Sequence, residues 1–180
     1  MEIMRQPTYV LAIDPALSTT GYAIIDRDTC ELVHVDKITT SPKDSNDDRI
    51  LSLLTELTQV AEKYWISNVV LEDGFSGPNQ KTALQLATLR GAIIGLFRFR
   101  QYSVSHMQPT QIRKALGCGG NAKKEQIAEE VIKIYGTQHP VLQLIGPYSD
   151  KQNKQKTSDI YDAISIGVAF IKTIRKDDGL

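Results

Sequence analysis

The chain has 180 residues, of which 41% are apolar and 23% are charged, a composition typical of one globular domain with a single core. We therefore treat residues 1–180 as a single domain. Lys and Arg total 21, as do Asp and Glu, so the formal charge is zero. A nucleic-acid binder usually has a basic excess, so neutrality counts against such a partner unless acidic and basic side chains are segregated.

The pattern of apolar residues disfavours membrane and secreted proteins. The longest apolar runs have only a few residues, far below the roughly 20 that cross a bilayer, and Met1–Gln6 does not resemble a signal peptide. Two cysteines are too few for a disulfide framework, and three scattered histidines do not suggest a zinc site. We expect a cytoplasmic protein that is neither secreted nor bound to a membrane.

The first part of the chain predicts an antiparallel meander followed by a helix. Short runs rich in β-forming residues predict strands at 8–14, 21–26 and 31–38. Residues 39–48 are polar and predict a loop in which Asn46 or Asp47 serves as a helix N-cap. A helix with apolar residues at helical spacing then reaches about Tyr64.

The remainder of the chain alternates between helix and strand. Strands are predicted at 68–72 and 101–106, and helices at 80–99, after Pro109, at 122–135 and at 158–175. The 22 residues 136–157 predict a long polar loop, which is typical of functional or mobile segments. Strands followed by alternating helices and strands predict an α/β fold, with a mixed sheet and helices on its faces.

The helix at 80–99 has apolar residues around most of its circumference. Leu84, Leu89 and Ile94, for example, cannot all face one side. A helix of this kind is usually covered on both sides, either by a partner subunit or by burial within a three-layer domain. The pattern alone does not choose between these two possibilities.

Two acidic residues, Asp14 and Glu72, end short strands of the buried type. If these strands lie parallel and adjacent, both carboxylates emerge at the same carboxyl edge of the sheet, where open α/β sheets place their ligands. The alternative is that each acid simply marks the exit of a strand into solvent. That alternative stays open for either residue taken alone.

Two further acids, Asp159 and Asp162, lie three residues apart at the start of the last helix and share one face. The same face continues through Ala163, Ile166 and Phe170, so it is predicted to be buried. The helix dipole explains an acid at position 159, but it explains one at 162 poorly. A carboxylate on a buried face is unfavourable unless it is paired or bound to a cation.

Four converging carboxylates would repel one another and raise one another's pKa, and a divalent cation would relieve that repulsion. Hard oxygen ligands favour Mg²⁺, for which Mn²⁺ can substitute. Two such ions roughly 4 Å apart can activate a water and stabilise the leaving oxygen in phosphodiester hydrolysis. The sequence therefore predicts a metal site, with two ions, rather than a Ser-His or Cys-His nucleophile.

Five segments, in order along the chain, resemble the motifs of the RuvC-type Holliday-junction resolvases, members of the RNase H-like nuclease superfamily. The segments are Ala12–Ala23, Val70–Phe75, Arg90-Gly91, Asn121–Ile127 and Asp159–Ile166. Ala16 stands where the family usually has glycine. Any one of these motifs is weakly specific, but five in register are specific.

The resemblance implies an RNase H-like fold, with a mixed five-stranded sheet flanked by helices on both faces in three layers. It implies a Mg²⁺-dependent, homodimeric endonuclease of DNA recombination and repair. Such an enzyme resolves four-way (Holliday) junctions by paired symmetric nicks that leave a 5′-phosphate and a 3′-hydroxyl. A two-fold substrate with two equivalent strands to cut fits a C2 dimer with two equivalent active sites.

The resemblance also assigns individual residues. Asp14, Glu72, Asp159 and Asp162 would be the catalytic metal ligands. Lys124 would be the active-site lysine that opposes charge developing on the phosphate, and Phe75 the aromatic that stacks on a base at the branch point. Without the resemblance, Lys124 would be a solvated helix-start lysine and Phe75 a core residue. Further DNA contacts are predicted at Lys123, Arg113, Lys114, Lys151, Lys154 and Lys156.

Three other classes of function remain open. An actin-like nucleotide-binding protein, such as a sugar kinase, has a phosphate loop that Ser18–Gly21 resembles, but it needs two domains. A non-catalytic junction-binding relative is possible, although all four acids are present. Another RNase H-like nuclease could act on flaps, bubbles or RNA-containing hybrids. Asp73, a fifth acid beside Glu72, receives no role from the sequence.

Overall fold

The computed structural model describes residues 8–74, 79–146, 148 and 151–177, and it describes the backbone alone at 151–155. The strands in this part of the chain are β1 (Tyr9–Asp14), β2 (Thr19–Asp26), β3 (Leu32–Thr39), β4 (Ile66–Glu72) and β5 (Ser103–Met107). The helices are α1 (Asn46–Lys63), α2 (Gln80–Phe99), α3 (Pro109–Ala115), α4 (Lys124–Tyr135), α5 (Pro140–Ile145) and α6 (Lys151–Asp177). All five predicted strands are confirmed, with ends shifted by one to two residues.

The five strands form one mixed sheet in the order β3-β2-β1-β4-β5. The first three strands pair antiparallel, which confirms the predicted meander. β4 pairs parallel to β1 and β5 parallel to β4. Ile13 pairs with Leu71, so the acids that follow them, Asp14 and Glu72, leave the sheet side by side at its carboxyl edge.

Helices cover both faces of the sheet, and this three-layer arrangement follows from the alternation of side chains along each strand. In β1, Val10 and Ala12 pack in the core shared with α3, α4, α5 and α6. Leu11 and Ile13 pack in the core shared with α1 and α2. The predicted α/β fold, with helices on both faces, is confirmed.

The predicted loop at 136–157 is wrong, because most of this segment is helical. Pro140 at the first turn begins α5, with His139 as its N-cap, and Gly146 ends it at a φ of 77°. The backbone of α6 begins at Lys151 rather than at Ser158. Lys and Gln are good helix formers, and they extend α6 toward its N-terminus without the apolar period by which a helix is recognised.

One helix start also differs from the prediction. Ser45, not Asn46 or Asp47, caps α1, since its Oγ accepts a hydrogen bond from the Asp48 backbone N–H at 3.1 Å. Serine is as good an N-cap as asparagine or aspartate, so the three neighbouring candidates could not be separated by propensity. Among the described helices, none has the length and apolar character that crossing a bilayer requires.

Two glycines let α6 lie unusually close to the sheet. A Cβ on Gly21 of β2 would stand 2.1 Å from the backbone oxygen of Asp159. A Cβ on Gly167 would stand 2.6 Å from Ile25 Cδ1 and 2.9 Å from the Cβ of Ala12. Because the Gly21 neighbour is backbone, no side-chain movement can make room there. The absence of a side chain on β2 therefore sets the position of the helical turn that carries Asp159.

We predict that Gly21→Ala lowers the melting temperature, because α6 must move away from β2. Overpacking of this kind costs about 1–3 kcal/mol, which for a chain of this length corresponds to roughly 2–10 °C. Gly119→Ala is the matched control, since a Cβ there meets nothing within 4 Å. Thermal unfolding followed by circular dichroism measures both. A Gly21→Ala protein that melts with the wild type would contradict the close packing.

Candidate active site

Strand alternation turns the carboxylates of Asp14 and Glu72 toward the same side of the sheet. Asp14 lies two residues after Ala12 in β1, and Glu72 lies two residues after Val70 in β4, so each acid points to the same face as that earlier residue. Ala12 and Val70 both pack in the core on the α6 side of the sheet. Both carboxylates therefore leave the carboxyl edge facing α6. The sequence predicts that the two carboxylates meet only if β1 and β4 are parallel and adjacent. The strands do pair in parallel, and this pairing brings Asp14 and Glu72 together.

The other two acids lie on α6, more than two turns after its start at Lys151. The face of Asp159 and Asp162 continues into Ala163, Ile166 and Phe170, which are all buried. This confirms the predicted buried face. The side chain of Asp162 is only 17% exposed, so its charge requires a partner.

The acids converge at one point. Asp14, Asp159 and Asp162 each offer a carboxylate oxygen, and the three oxygens lie within 4.8 Å of one another. Glu72 lies outside this tight group, but it lines the same small cavity, of about 90 Å³, together with Asp14 and Asp162. Three of the four predicted ligands therefore form a cluster, and the fourth faces it from the neighbouring strand.

Two basic side chains, Lys124 and Arg113, line the same cavity. Lys124, at the start of α4, forms an ion pair with Asp162. Arg113, on α3, donates from NH1 to the backbone oxygen of Gly120 at 2.9 Å. Its Nε is buried and has no hydrogen-bond partner among the described residues. The guanidinium therefore retains donors that a bound anion could use.

Burial and mutual repulsion shift the pKa values of this group. Burial, followed by the charge of Asp162, raises the pKa of Asp14 to about 8. The pKa of Glu72 is raised by the same two causes. Burial also raises the pKa of Asp162, although Lys124 opposes this shift. For Lys124, burial acts to lower the pKa, but attraction to Asp162 outweighs it and the net shift is upward.

These residues fit a divalent cation. The donors are all carboxylate oxygens, the type that Mg²⁺ and Mn²⁺ prefer, and they are close enough for one ion to contact several of them. The raised pKa of Asp14 shows that Lys124 alone does not compensate the buried negative charge. A bound cation would favour the ionised carboxylates that the protein environment disfavours.

The other predicted DNA contacts are distributed differently. Phe75 lies outside the described residues, as do the side chains of Lys151 and Lys154. Lys123 and Lys156 are exposed, at the N-cap of α4 and in α6 respectively. Lys114 is also exposed, but it lines a different groove of about 420 Å³, together with Lys172 and Lys176. Of the predicted basic contacts whose side chains are described, only Arg113 lines the acid cavity with Lys124.

Two residues near the acids have structural roles that the sequence did not reveal. Gly21 sets the approach of α6 to β2, as described above. Lys37 of β3 donates from its Nζ to the backbone oxygen of Lys156 at 2.7 Å, in the turn of α6 before Asp159. The two lysines are 119 residues apart, so no local pattern could reveal the contact.

Comparison with known proteins agrees with this geometry. The sequence model of the family described as "Crossover junction endodeoxyribonuclease RuvC" matches residues 10–170. The protein of that name from Helicobacter pylori is 29% identical over 170 residues, which cover 92% of this chain and 98% of that protein. The protein of that name from Rickettsia felis is 32% identical over 120 residues, which cover 66% of this chain and 77% of that protein.

Solved structures share the fold at lower identity. "T. thermophilus RuvC in complex with Holliday junction substrate" superposes with a TM-score of 0.74 at 20% identity, covering 94% of this chain and 96% of that one. The yeast mitochondrial Holliday junction resolvase Ydc2 superposes with a TM-score of 0.68 at 14% identity, covering 93% and 80%. The three-layer arrangement is thus the RNase H-like fold. The chain belongs to the RuvC family of crossover junction endodeoxyribonucleases, as its motifs predicted.

The raised pKa of Asp14 predicts how the stability of the metal-free protein depends on pH. The unfolded chain releases this proton near the ordinary value of 3.8, whereas the folded protein holds it until about pH 8. The free energy of unfolding therefore falls as pH rises from about 4 to 8, by an amount on the order of a few kcal/mol. Asp14→Asn removes this penalty, so in EDTA at pH 8 the variant should melt several degrees above the wild type.

Two further measurements make this prediction specific. At pH 4.5, where Asp14 of the folded wild type is protonated, the difference in melting temperature should shrink. Added Mg²⁺ should stabilise the wild type more than the Asp14→Asn variant, because the amide provides one negative charge fewer to the cation. A wild type and variant with parallel pH profiles in EDTA would contradict the assigned burial of the Asp14 charge.

Proposed function

We propose that this protein cuts four-way DNA junctions by metal-dependent hydrolysis, with Asp14, Glu72, Asp159 and Asp162 as the ligands of two Mg²⁺ ions. The observation that carries the proposal is the convergence of carboxylate oxygens from β1 and α6 within 4.8 Å, with Glu72 of β4 beside them. Membership of a family of crossover junction endodeoxyribonucleases supports the reaction class and the substrate.

The bound cations would supply an activated water and positive charge at the leaving oxygen. The side chains of this protein have separable tasks. Asp14, Asp159 and Asp162 place ionised oxygens around a common point. Lys124 is protonated and lines the cavity, so its ammonium opposes negative charge that develops on a phosphate bound there. Arg113 lines the same cavity and supplies a permanent second positive charge.

The DNA contacts outside the cavity are proposed from the sequence. Phe75 follows Glu72 by three residues, and we propose that it stacks on a base at the branch point. We propose phosphate contacts for Lys123, Lys114, Lys151, Lys154 and Lys156. Acids inside a cavity and bases around it would reconcile zero net charge with DNA binding. The products would carry a 5′-phosphate and a 3′-hydroxyl.

The exposed face of α2 supports a homodimer. Leu89, Ile93 and Phe97 are buried against the sheet. Leu84 and Phe99 are 70% and 87% exposed, at the two ends of the helix. Between them, a Cβ on Gly91 or Gly95 would meet nothing within 4 Å, so a flat strip lies open on this helix. Of the two explanations for an apolar circumference, this favours a partner subunit over burial within the domain.

The family match also bears on domain structure and location. It extends over residues 10–170, which supports a single nuclease domain over residues 1–180. A DNA-cutting enzyme acts where the DNA lies, and we propose the cytoplasm of a bacterial or phage-infected cell.

We predict that Asp162→Asn lowers the rate of junction cleavage at least about 100-fold, because it removes a ligand oxygen's charge from the cluster. Binding to the junction should persist or tighten, since one repulsive charge is removed. Gel shift and cleavage of a synthetic four-way junction in Mg²⁺ measure the two effects. Asp28→Asn makes the same change in the turn after β2, far from the carboxyl edge of β1, and should leave both unchanged.

Substrate comparison separates the proposed function from its nearest alternative. The wild type should cut the four-way junction faster than a flap, a bubble or an RNA–DNA hybrid, at symmetric positions on two strands. Preference for any of the other three substrates would assign a different RNase H-like nuclease activity. Equal loss of cleavage and binding in Asp162→Asn would contradict a purely catalytic role for that carboxylate.

We predict that Gly95→Arg splits the dimer without destabilising the subunit. Replacement of a helical glycine raises helix propensity by up to about 1 kcal/mol, while a bulky charge cannot enter an apolar interface without a partner. Sedimentation equilibrium should give the mass of a dimer for the wild type and of a monomer for the variant. Gly119→Arg, an exposed loop position, should stay dimeric. A wild type that is monomeric at micromolar concentration would contradict the proposed dimer.

A further inference from the structure

Asp73 directly follows Glu72 but has a different environment. Side chains alternate along a strand, so the residue after Glu72 turns away from the acid cavity. The cavity is lined by Glu72 and not by Asp73, and Asp73 does not belong to the cluster of carboxylate oxygens found in the described residues. The fifth acid of this region is therefore not placed as a metal ligand.

The carboxylate of Asp73 connects several elements. Its Oδ1 accepts a hydrogen bond from NH2 of Arg90 on α2 at 2.8 Å, and its Oδ2 accepts one from Nε2 of Gln108, the N-cap of α3, at 2.8 Å. Nδ1 of His106 in β5 lies 3.6 Å from Oδ1. The backbone N–H of Asp73 donates to Met107 at 2.7 Å. One residue thus joins the end of β4 to α2, β5 and α3.

The side chain of Arg90, the partner of Asp73, is largely buried. Its side chain is only 15% exposed. A Cβ on Gly74 would stand 2.3 Å from NH1 of Arg90, so the guanidinium passes where a larger residue would have its side chain. The Nε of Arg90 is buried without a hydrogen-bond partner in the described part of the chain. Arg90 thus leaves one donor unsatisfied while it contacts Asp73 through NH2.

We propose that Asp73 is a positioning residue that holds Glu72 in place for cation binding. The contacts of Asp73 immobilise the backbone one residue beyond Glu72, and those to α3 also fix the element that brings Arg113 to the cavity. A ligand that is already held in place binds more tightly, because less conformational freedom is lost on binding. This inference rests on the proposed metal site and adds a residue that the site depends on.

The test measures Mn²⁺ binding directly, by isothermal titration calorimetry, in the full chain. Asp73→Ala should weaken Mn²⁺ binding about tenfold, the lower end of the effect of outer-sphere partners. Arg90→Ala removes only the ion pair and should weaken binding by a similar or smaller factor. The double variant should be no weaker than Asp73→Ala, since Asp73→Ala already removes that ion pair. In cleavage assays the Mg²⁺ concentration for half-maximal rate should rise in parallel, with a much smaller loss of rate at saturating Mg²⁺.

A matched control uses the other ion pair of α2. Glu62→Gln removes the charge from the ion pair between Glu62 of α1 and Arg100, the C-cap of α2, which is also 2.8 Å long but involves none of the acids described above. This variant should bind Mn²⁺ like the wild type. If Asp73→Ala lacks a cooperative melting transition, Arg90→Lys decides the question, because it keeps the charge but loses the planar fork of donors.

Three results would overturn the inference. Mn²⁺ affinity within twofold of the wild type in both Asp73→Ala and Arg90→Lys would remove the positioning role. Loss of cleavage at saturating Mg²⁺ in Asp73→Ala, with no effect of Arg90→Ala, would make Asp73 a direct ligand. If either of these results is found while the wild type cuts junctions and binds Mn²⁺, the positioning role of Asp73 is wrong but the proposed function stands. A wild type that does neither contradicts both.

Discussion

The structure depends on an unfavourable concentration of negative charge at the carboxyl edge of its sheet. Asp14, Asp159 and Asp162 bring oxygens within 4.8 Å of one another in a largely buried place, and the pKa of Asp14 rises to about 8 as a result. Water cannot solvate these charges well, and Lys124 neutralises only one of them. Such an arrangement destabilises the metal-free fold and at the same time creates affinity for a divalent cation. The same free energy thus opposes folding and favours cofactor binding.

The rest of the fold supplies the rigidity that holds like charges together. The acids lie on adjacent parallel strands and on a 27-residue helix, all anchored in the core on one side of the sheet. Gly21 of β2 lies against the backbone of α6 at Asp159, and Gly167 of α6 lies against the side chains of Ile25 and Ala12 in β2 and β1. A looser contact would let the carboxylates relax apart, because tight packing opposes their repulsion. The small residues at these two positions therefore allow α6 to pack closely against the sheet near the acids.

Neighbouring acids in this protein have opposite roles because strand geometry separates them. Glu72 and Asp73 are adjacent in the sequence and chemically similar, yet one faces the acid cavity and the other faces Arg90 of α2. Asp73 forms its ion pair with Arg90 at 2.8 Å, outside the cluster of carboxylate oxygens formed by Asp14, Asp159 and Asp162. Glu72 at the end of β4 and Asp73 directly after it are thus a proposed metal ligand and its proposed positioning residue at two consecutive positions. The partner of Asp73 lies on α2, which also carries the face proposed to meet a second subunit.

The sequence by itself determined the strands, most helices and the four acids, because these depend on local pattern and motif. Apolar runs ending in Asp14 and Glu72, and a buried face continuing from Asp162, were visible without coordinates. The N-terminal extension of α6 was missed because a polar helix has no apolar period to detect. Only the tertiary structure decided that Glu72 lines the acid cavity without belonging to the cluster of three carboxylate oxygens. It also decided that Gly21 packs against the backbone of Asp159 and that Asp73 forms an ion pair with Arg90. These relations join residues distant in the chain through backbone pairing and packing, which local sequence patterns do not encode.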